Sequence, residues 1–175
     1  TVVSNGFIQE QALRDVLPLL SAIKVDLKSF RDEFYRKQVR GELEPVLRSL
    51  RIIKESGVWL EIVVLLIPTL NDSATEIREL SSWVRNELGP EVPIHFTRFH
   101  PTYRLTDLPP TPVATLERAW EIGREAELNF VYLGNLPGHP GENTVCPGCG
   151  EILIRRMGFQ VLENRIGKGS CPDCG

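Results

Sequence analysis

Apolar, β-favouring runs alternate along the chain with stretches whose apolar positions recur every three to four residues. The runs at Thr1–Val3, Ala22–Val25, Val58–Ile67, Ile94–Phe99 and Phe130–Leu133 predict five strands. Between them, Val46, Leu47, Leu50 and Ile53 form a helical stripe that Gly57 closes as a C-cap. Ser73 and Glu76 stand at capping-box spacing ahead of the stripe Ile77, Leu80, Val84 and Leu88. Thr111-Pro112 has N-cap and first-turn chemistry, with Val113, Leu116 and Trp120 continuing that helix. Strand–helix units at a period of roughly 35 residues feed a parallel sheet of α/β type. No sequence repeat accompanies the period, which argues against a solenoid.

Composition narrows the class. Apolar residues at 42% against 25% charged predict a packed globular chain rather than a disordered one. A net charge of −3 argues against a dedicated nucleic-acid binder. The most apolar stretch, VWLEIVVLLIP, contains Glu61 and stops at Pro68, too short for a bilayer. With no signal-peptide pattern, the expected location is the cytoplasm.

Each predicted strand ends in polar or turn-forming residues, and both barrels and open parallel sheets place their sites there. Neither a G-x-G-x-x-G after the first strand nor a Walker loop is present, which disfavours those phosphate sites. Asp26 and Lys28, two apart at a strand exit, point to one side. They suit either an ion pair closing the strand or contacts to a ligand bearing charges and hydroxyls. His100 caps another strand, whereas His95 and His139 read as packed or solvated residues, and Asn71-Asp72 as turn and helix-start chemistry.

All four cysteines lie at the far end, beyond the Pro/Gly-rich LPGHPGEN, which divides the chain into 1–138 and 139–175. Cys146-Pro-Gly-Cys149-Gly and Cys171-Pro-Asp-Cys174-Gly are two knuckle-like turns offering four thiolates to a tetrahedral ion, joined by a hairpin, EILIRRMGFQVLE. Zinc in a ribbon-like tail is the expectation, ahead of rubredoxin-like iron or an auxiliary iron–sulfur cluster, and disulfides are disfavoured.

The ordered set SNGF, KVDLK, VVLLIPTLND and TRFHP resembles the later strands of radical S-adenosylmethionine (SAM) enzymes of the pyruvate formate-lyase activating type. The tail YLGNLPGHPGENTVCPGCG resembles the radical SAM member of the AmmeMemoRadiSam group. This resemblance implies the C-terminal part of a partial (βα)6 TIM-like barrel, with SAM bound across strand ends. It also implies SAM contacts for Ser4 and Asn5 in a small polar pair, for Asp26 and Lys28 in the DLK motif, and for His100 near the nucleoside.

Such enzymes hold a 4Fe-4S cluster on a CxxxCxxC loop after the first strand, and no cysteine precedes Cys146 here. TVVSNGF, three β-favouring residues running into a turn, therefore resembles a third strand whose exposed edge lacks its neighbour. The expectation is a C-terminal fragment with no catalytic residue of its own, inactive alone, from a parent that abstracts hydrogen from a protein or small molecule. Two other readings compete: a zinc-ribbon protein-binding module on an α/β scaffold, and an aldolase-like barrel with Lys28 as a Schiff-base lysine. From His139 onward four Lys/Arg face four Asp/Glu, so the tail offers no basic patch for nucleic acid.

Overall fold

Burial alternates along four of the five strands of the main sheet, and that alternation decides which way the sheet faces. In the computed structural model, which describes residues 1–103 and 105–175, Ile23 and Val25 are buried while Lys24 and Asp26 between and after them are half-exposed. Leu60, Ile62, Val64 and Leu66 alternate in the same way with Glu61, Val63 and Leu65. The strands are β1 (Val2–Ser4), β2 (Ala22–Asp26), β3 (Trp59–Leu66), β4 (Ile94–Arg98) and β5 (Val131–Gly134). They pair in parallel in the order of the chain, β1-β2-β3-β4-β5. Sequential parallel pairing with crossover helices is barrel topology, and five strands make an open segment of one.

Helices α1 (Glu10–Val16), α3 (Leu43–Ser56), α4 (Ala74–Trp83) and α5 (Val113–Glu125) cover one face, and α2 (Asp32–Phe34) is a single turn after β2. Their stripes (Leu13, Val46, Leu50, Ile53, Ile77, Leu80, Leu116, Ile122) join the buried strand residues in one core. Helix α3 stops at Gly57, at φ 77°, as its cap position demands. Gly6 ends β1 in the same left-handed region, and a Cβ there would meet Val25 Cγ1 at 2.9 Å. β1 forms one edge of the sheet, with Val3 68% exposed. Among the described residues no helix is long and apolar enough to cross a membrane.

Two expected helix starts differ. Ser73 caps α4 by accepting from the Glu76 amide, but the Glu76 carboxylate does not reach back. It is buried and accepts from Ser29 Oγ and the Phe30 amide, tying α4 to the loop after β2. Pro112, not Thr111, is the N-cap of α5. Thr111 is fully buried, its hydroxyl accepting from the Phe99 amide and donating to the Leu66 carbonyl. A hydroxyl that bridges two strand ends satisfies backbone groups a helix cap could not reach.

The second sheet is antiparallel: β6 (Thr144–Val145), β7 (Ile152–Met157) and β8 (Gln160–Asn164). The β7–β8 hairpin is the one expected between the cysteine pairs. The tail meets the helix-free face of the barrel sheet, where Tyr132 Oη lies 3.0 Å from Thr144 Oγ1 and Arg156 sits over the Tyr132 ring.

Candidate ligand cavity and candidate metal centre

The strand exits are stitched together by buried side chains. Asn71 accepts from the Ile67 amide at 2.6 Å and donates to the carbonyls of Lys28 and Leu65 at 2.7 and 2.9 Å. It thus pins the exit of β2 to that of β3, well beyond the turn role expected of it, while Asp72 does serve the turn by accepting from the Thr69 amide. Tyr35, buried, accepts from the Lys28 amide, and burial pushes its phenol up to about 12. The backbone of Lys28 is therefore held from both sides. Its ammonium donates to Asp26 at 2.6 Å, with the two side chains 35% and 32% exposed. The ion pair expected as one reading of this dipeptide spacing is present.

Above these exits lies a cavity of about 820 Å³. Lys28 and His100 both line it, with Phe34, Ile67 and Phe99 as apolar surface and Asn135 at its β5 side. Its size and its mainly apolar wall with few polar groups match small-molecule sites in general. Asp26 is joined to the cavity through Lys28. Ser4 and Asn5 are not among its lining residues; their side-chain oxygens accept from the amides of Gly6 and Phe7 and close the turn after β1. Of the five residues expected around one ligand, the structure brings two onto a single cavity, links a third by an ion pair, and sets two at the end of β1 and in the turn after it.

The four cysteines converge. One sulfur from each lies within 4.8 Å of all the others, with Cys146 and Cys174 at 3.6 Å and Cys149 and Cys171 at 3.7 Å. A tetrahedral ion with Zn–S bonds of about 2.3 Å separates its sulfurs by roughly 3.8 Å, whereas a disulfide brings them to about 2.05 Å. The observed spacings match the first. Cys146 and Cys171 are buried, Cys149 and Cys174 exposed. The knuckles are closed by the Gly150 amide on the Cys146 carbonyl and the Gly175 amide on that of Cys171.

Electrostatics favours the same reading. The amides of Cys149 and Gly148 draw the Cys146 thiol down to about 7. The sulfurs of Cys146, Cys149 and Cys171 push Cys174 up to about 12. Four thiols so close cannot all ionise alone, and a divalent cation removes that repulsion. A tetrahedral ion held by four protein thiolates has no open coordination position, the arrangement of structural rather than catalytic sites.

Sequence reasoning missed Asn71, Glu76, Thr111 and Tyr35 as organisers of the strand ends. Only the Asn71-Asp72 turn signal hinted at one of them.

No family model matches the chain. The "Uncharacterized protein MJ0808" of Methanocaldococcus jannaschii is 43% identical over 176 residues, covering 99% of this chain and 52% of that protein. The chain thus spans about half the length of that curated relative. A domain of pyruvate-formate lyase-activating enzyme from Bacteroides vulgatus superposes with a TM-score of 0.67 at 15% identity, covering 77% of this chain and 80% of that one. A radical SAM methyltransferase from Sphaerobacter thermophilus gives 0.58 at 16%, over 81% and 43%. The fold of the chain is that of radical SAM activating-enzyme domains, as the sequence motifs implied.

Proposed function

We propose that, on this activating-enzyme-like fold, the chain provides the C-terminal strand ends of a radical SAM enzyme and a zinc ribbon beside them. The observation that carries the reading is the joint placement of Lys28 and His100 on one cavity at the carboxyl ends of the strands. The residues fit SAM chemically. Lys28 and Asp26 offer a cation and an anion to its carboxylate and ribose hydroxyls, and Phe34 and Ile67 an apolar surface to its adenine. On this reading His100, which lines the same cavity, lies near the nucleoside. Ser4 and Asn5 would take part through their loop.

SAM supplies hydrogen-abstracting chemistry when it is bound beside a reduced iron–sulfur cluster. The four cysteines here do not fit that cluster, since they close on one ion. On this reading the 175 residues bind part of SAM and do not cleave it. The remaining half of a protein as long as the curated relative would supply the cluster, and the whole would act on a protein or small molecule in the cytoplasm. Lys28, engaged by Asp26, gives the Schiff-base reading no support.

The test measures SAM affinity in the whole protein. Asp26→Ala and Lys28→Ala should each weaken it about tenfold, the loss expected of a charge-assisted contact, while the iron–sulfur absorbance persists. Unchanged affinity in both variants overturns the assignment. The 175-residue chain, assayed anaerobically with dithionite, should release no 5′-deoxyadenosine beyond the protein-free control.

A further inference from the structure

A second cavity, of about 680 Å³, lies against the helix-free face of the sheet, and nothing in the SAM reading uses it. Its floor is a layer of side chains from successive strands: Lys24 on β2, Glu61 on β3, His95 on β4 and Tyr132 on β5. Its opposite wall is the tail hairpin, which contributes Arg156 and Phe159.

Hydrogen-bonding capacity in this cavity is lopsided. Glu61 receives Lys24 Nζ and His95 Nε2 at 3.1 Å each on Oε2, and Trp59 Nε1 at 3.2 Å on Oε1. The hydrogen bond from His95, with those from Trp59 and Lys24, holds its carboxyl at about 2 against the opposing effect of burial, so it stays an acceptor only. Glu142 is engaged by the amides of Gly138 and Gly158. Both carboxylates therefore have their partners. The donors do not: Arg156 uses Nη1 on Thr144 Oγ1 and the Glu142 carbonyl, while its Nε and Nη2 have no acceptor among the described residues. Lys24 has one acceptor for its three N–H bonds. Around these donors stand broad apolar faces, among them Trp59 and Phe159, both exposed to solvent.

A cavity with surplus cationic donors, occupied acceptors and aromatic walls suits a ligand that brings its own negative oxygens on an apolar body. We propose that this cavity is a binding site for a small organic anion, an aromatic carboxylate or phosphate ester, gripped by Arg156 and Lys24. The site does not depend on SAM binding at the strand exits. It does depend on the tail, because Arg156 is carried on β7 between the two cysteine turns.

The experiment titrates the metal-loaded protein with benzoate and with phenyl phosphate and follows the Trp59 indole N–H and Gly158 amide resonances. At least one of the two should move both resonances saturably, and the better ligand reveals which anion chemistry the site prefers. Arg156→Gln should weaken that binding at least tenfold. If Arg156→Gln loses its metal, Lys24→Gln on the sheet replaces it, with at least a threefold loss expected. The proposal fails if neither anion saturates, if benzyl alcohol or inorganic phosphate binds as well as either, or if the folded variant keeps full affinity.

Discussion

The barrel segment and the tail hold themselves together by different physics. The barrel buries one continuous core that draws on β2 to β5 and on α1, α3, α4 and α5. The tail's own cluster is Cys146, Leu153 and Cys171, two of them candidate ion ligands, and β8 is exposed along its whole length. A three-stranded sheet with so little apolar burial cannot offset the entropy of ordering its chain. The barrel is specified by periodicity spread over a hundred residues; the ribbon is specified by four atoms.

That contrast is broken most directly by taking the ion away. Structural zinc contributes on the order of 10 kcal/mol to such modules. Chelation, or Cys171→Ser, should therefore disorder β6–β8 outright while the barrel keeps its thermal transition. Metal content together with amide spectra reads both halves at once, and simultaneous collapse of the barrel would erase the distinction. Acid should act alike: the thiolates must be protonated for the ion to leave, so metal is retained at neutral pH and released as pH falls.

Next in size, Leu50→Ala, at a fully buried site of α3, should cost the barrel about 3 kcal/mol in denaturant unfolding. Metal stoichiometry should not move. Asn71→Ala leaves the Ile67 amide and the carbonyls of Lys28 and Leu65 without this partner. A loss of about 2 kcal/mol is expected, together with displacement of Lys28 that weakens ligand binding at the strand exits.

The remaining prediction concerns the pH dependence set by Glu61. Its carboxyl sits at about 2 in the folded chain against an ordinary 4.5. A depressed acid stabilises the fold fully above its unfolded value, and that contribution disappears as pH falls from about 4.5 toward about 2. Glu61→Gln should flatten the acid slope of barrel stability across that window. A wild-type slope in the variant would remove Glu61 as its source.

How far the sequence could be read follows from the same division. Five strands and three main helices were legible because their apolar positions obey simple periods, and strand limits agree within a residue or two. The cysteine ribbon was legible because few arrangements explain two knuckles. Thr111 and Glu76 looked like helix-start residues because local spacing carries no information about partners 45 or 47 positions away. His95 looked bland for that reason too: its partner Glu61 lies 34 residues off. The polar layer of the helix-free face went unread for the same reason, since Lys24, Glu61, His95 and Tyr132 stand one to a strand and only the parallel pairing brings them together.

The sequential strand order has a consequence for how the molecule is made. Each barrel strand pairs with the next one to be synthesised, so the sheet can grow in the order of translation without waiting for a distant segment. Cys171 and Cys174 follow every barrel strand in the chain. An ion held by all four cysteines therefore needs residues that are synthesised after every barrel strand, so the surface that the ribbon rests on precedes the complete ligand set in translation order.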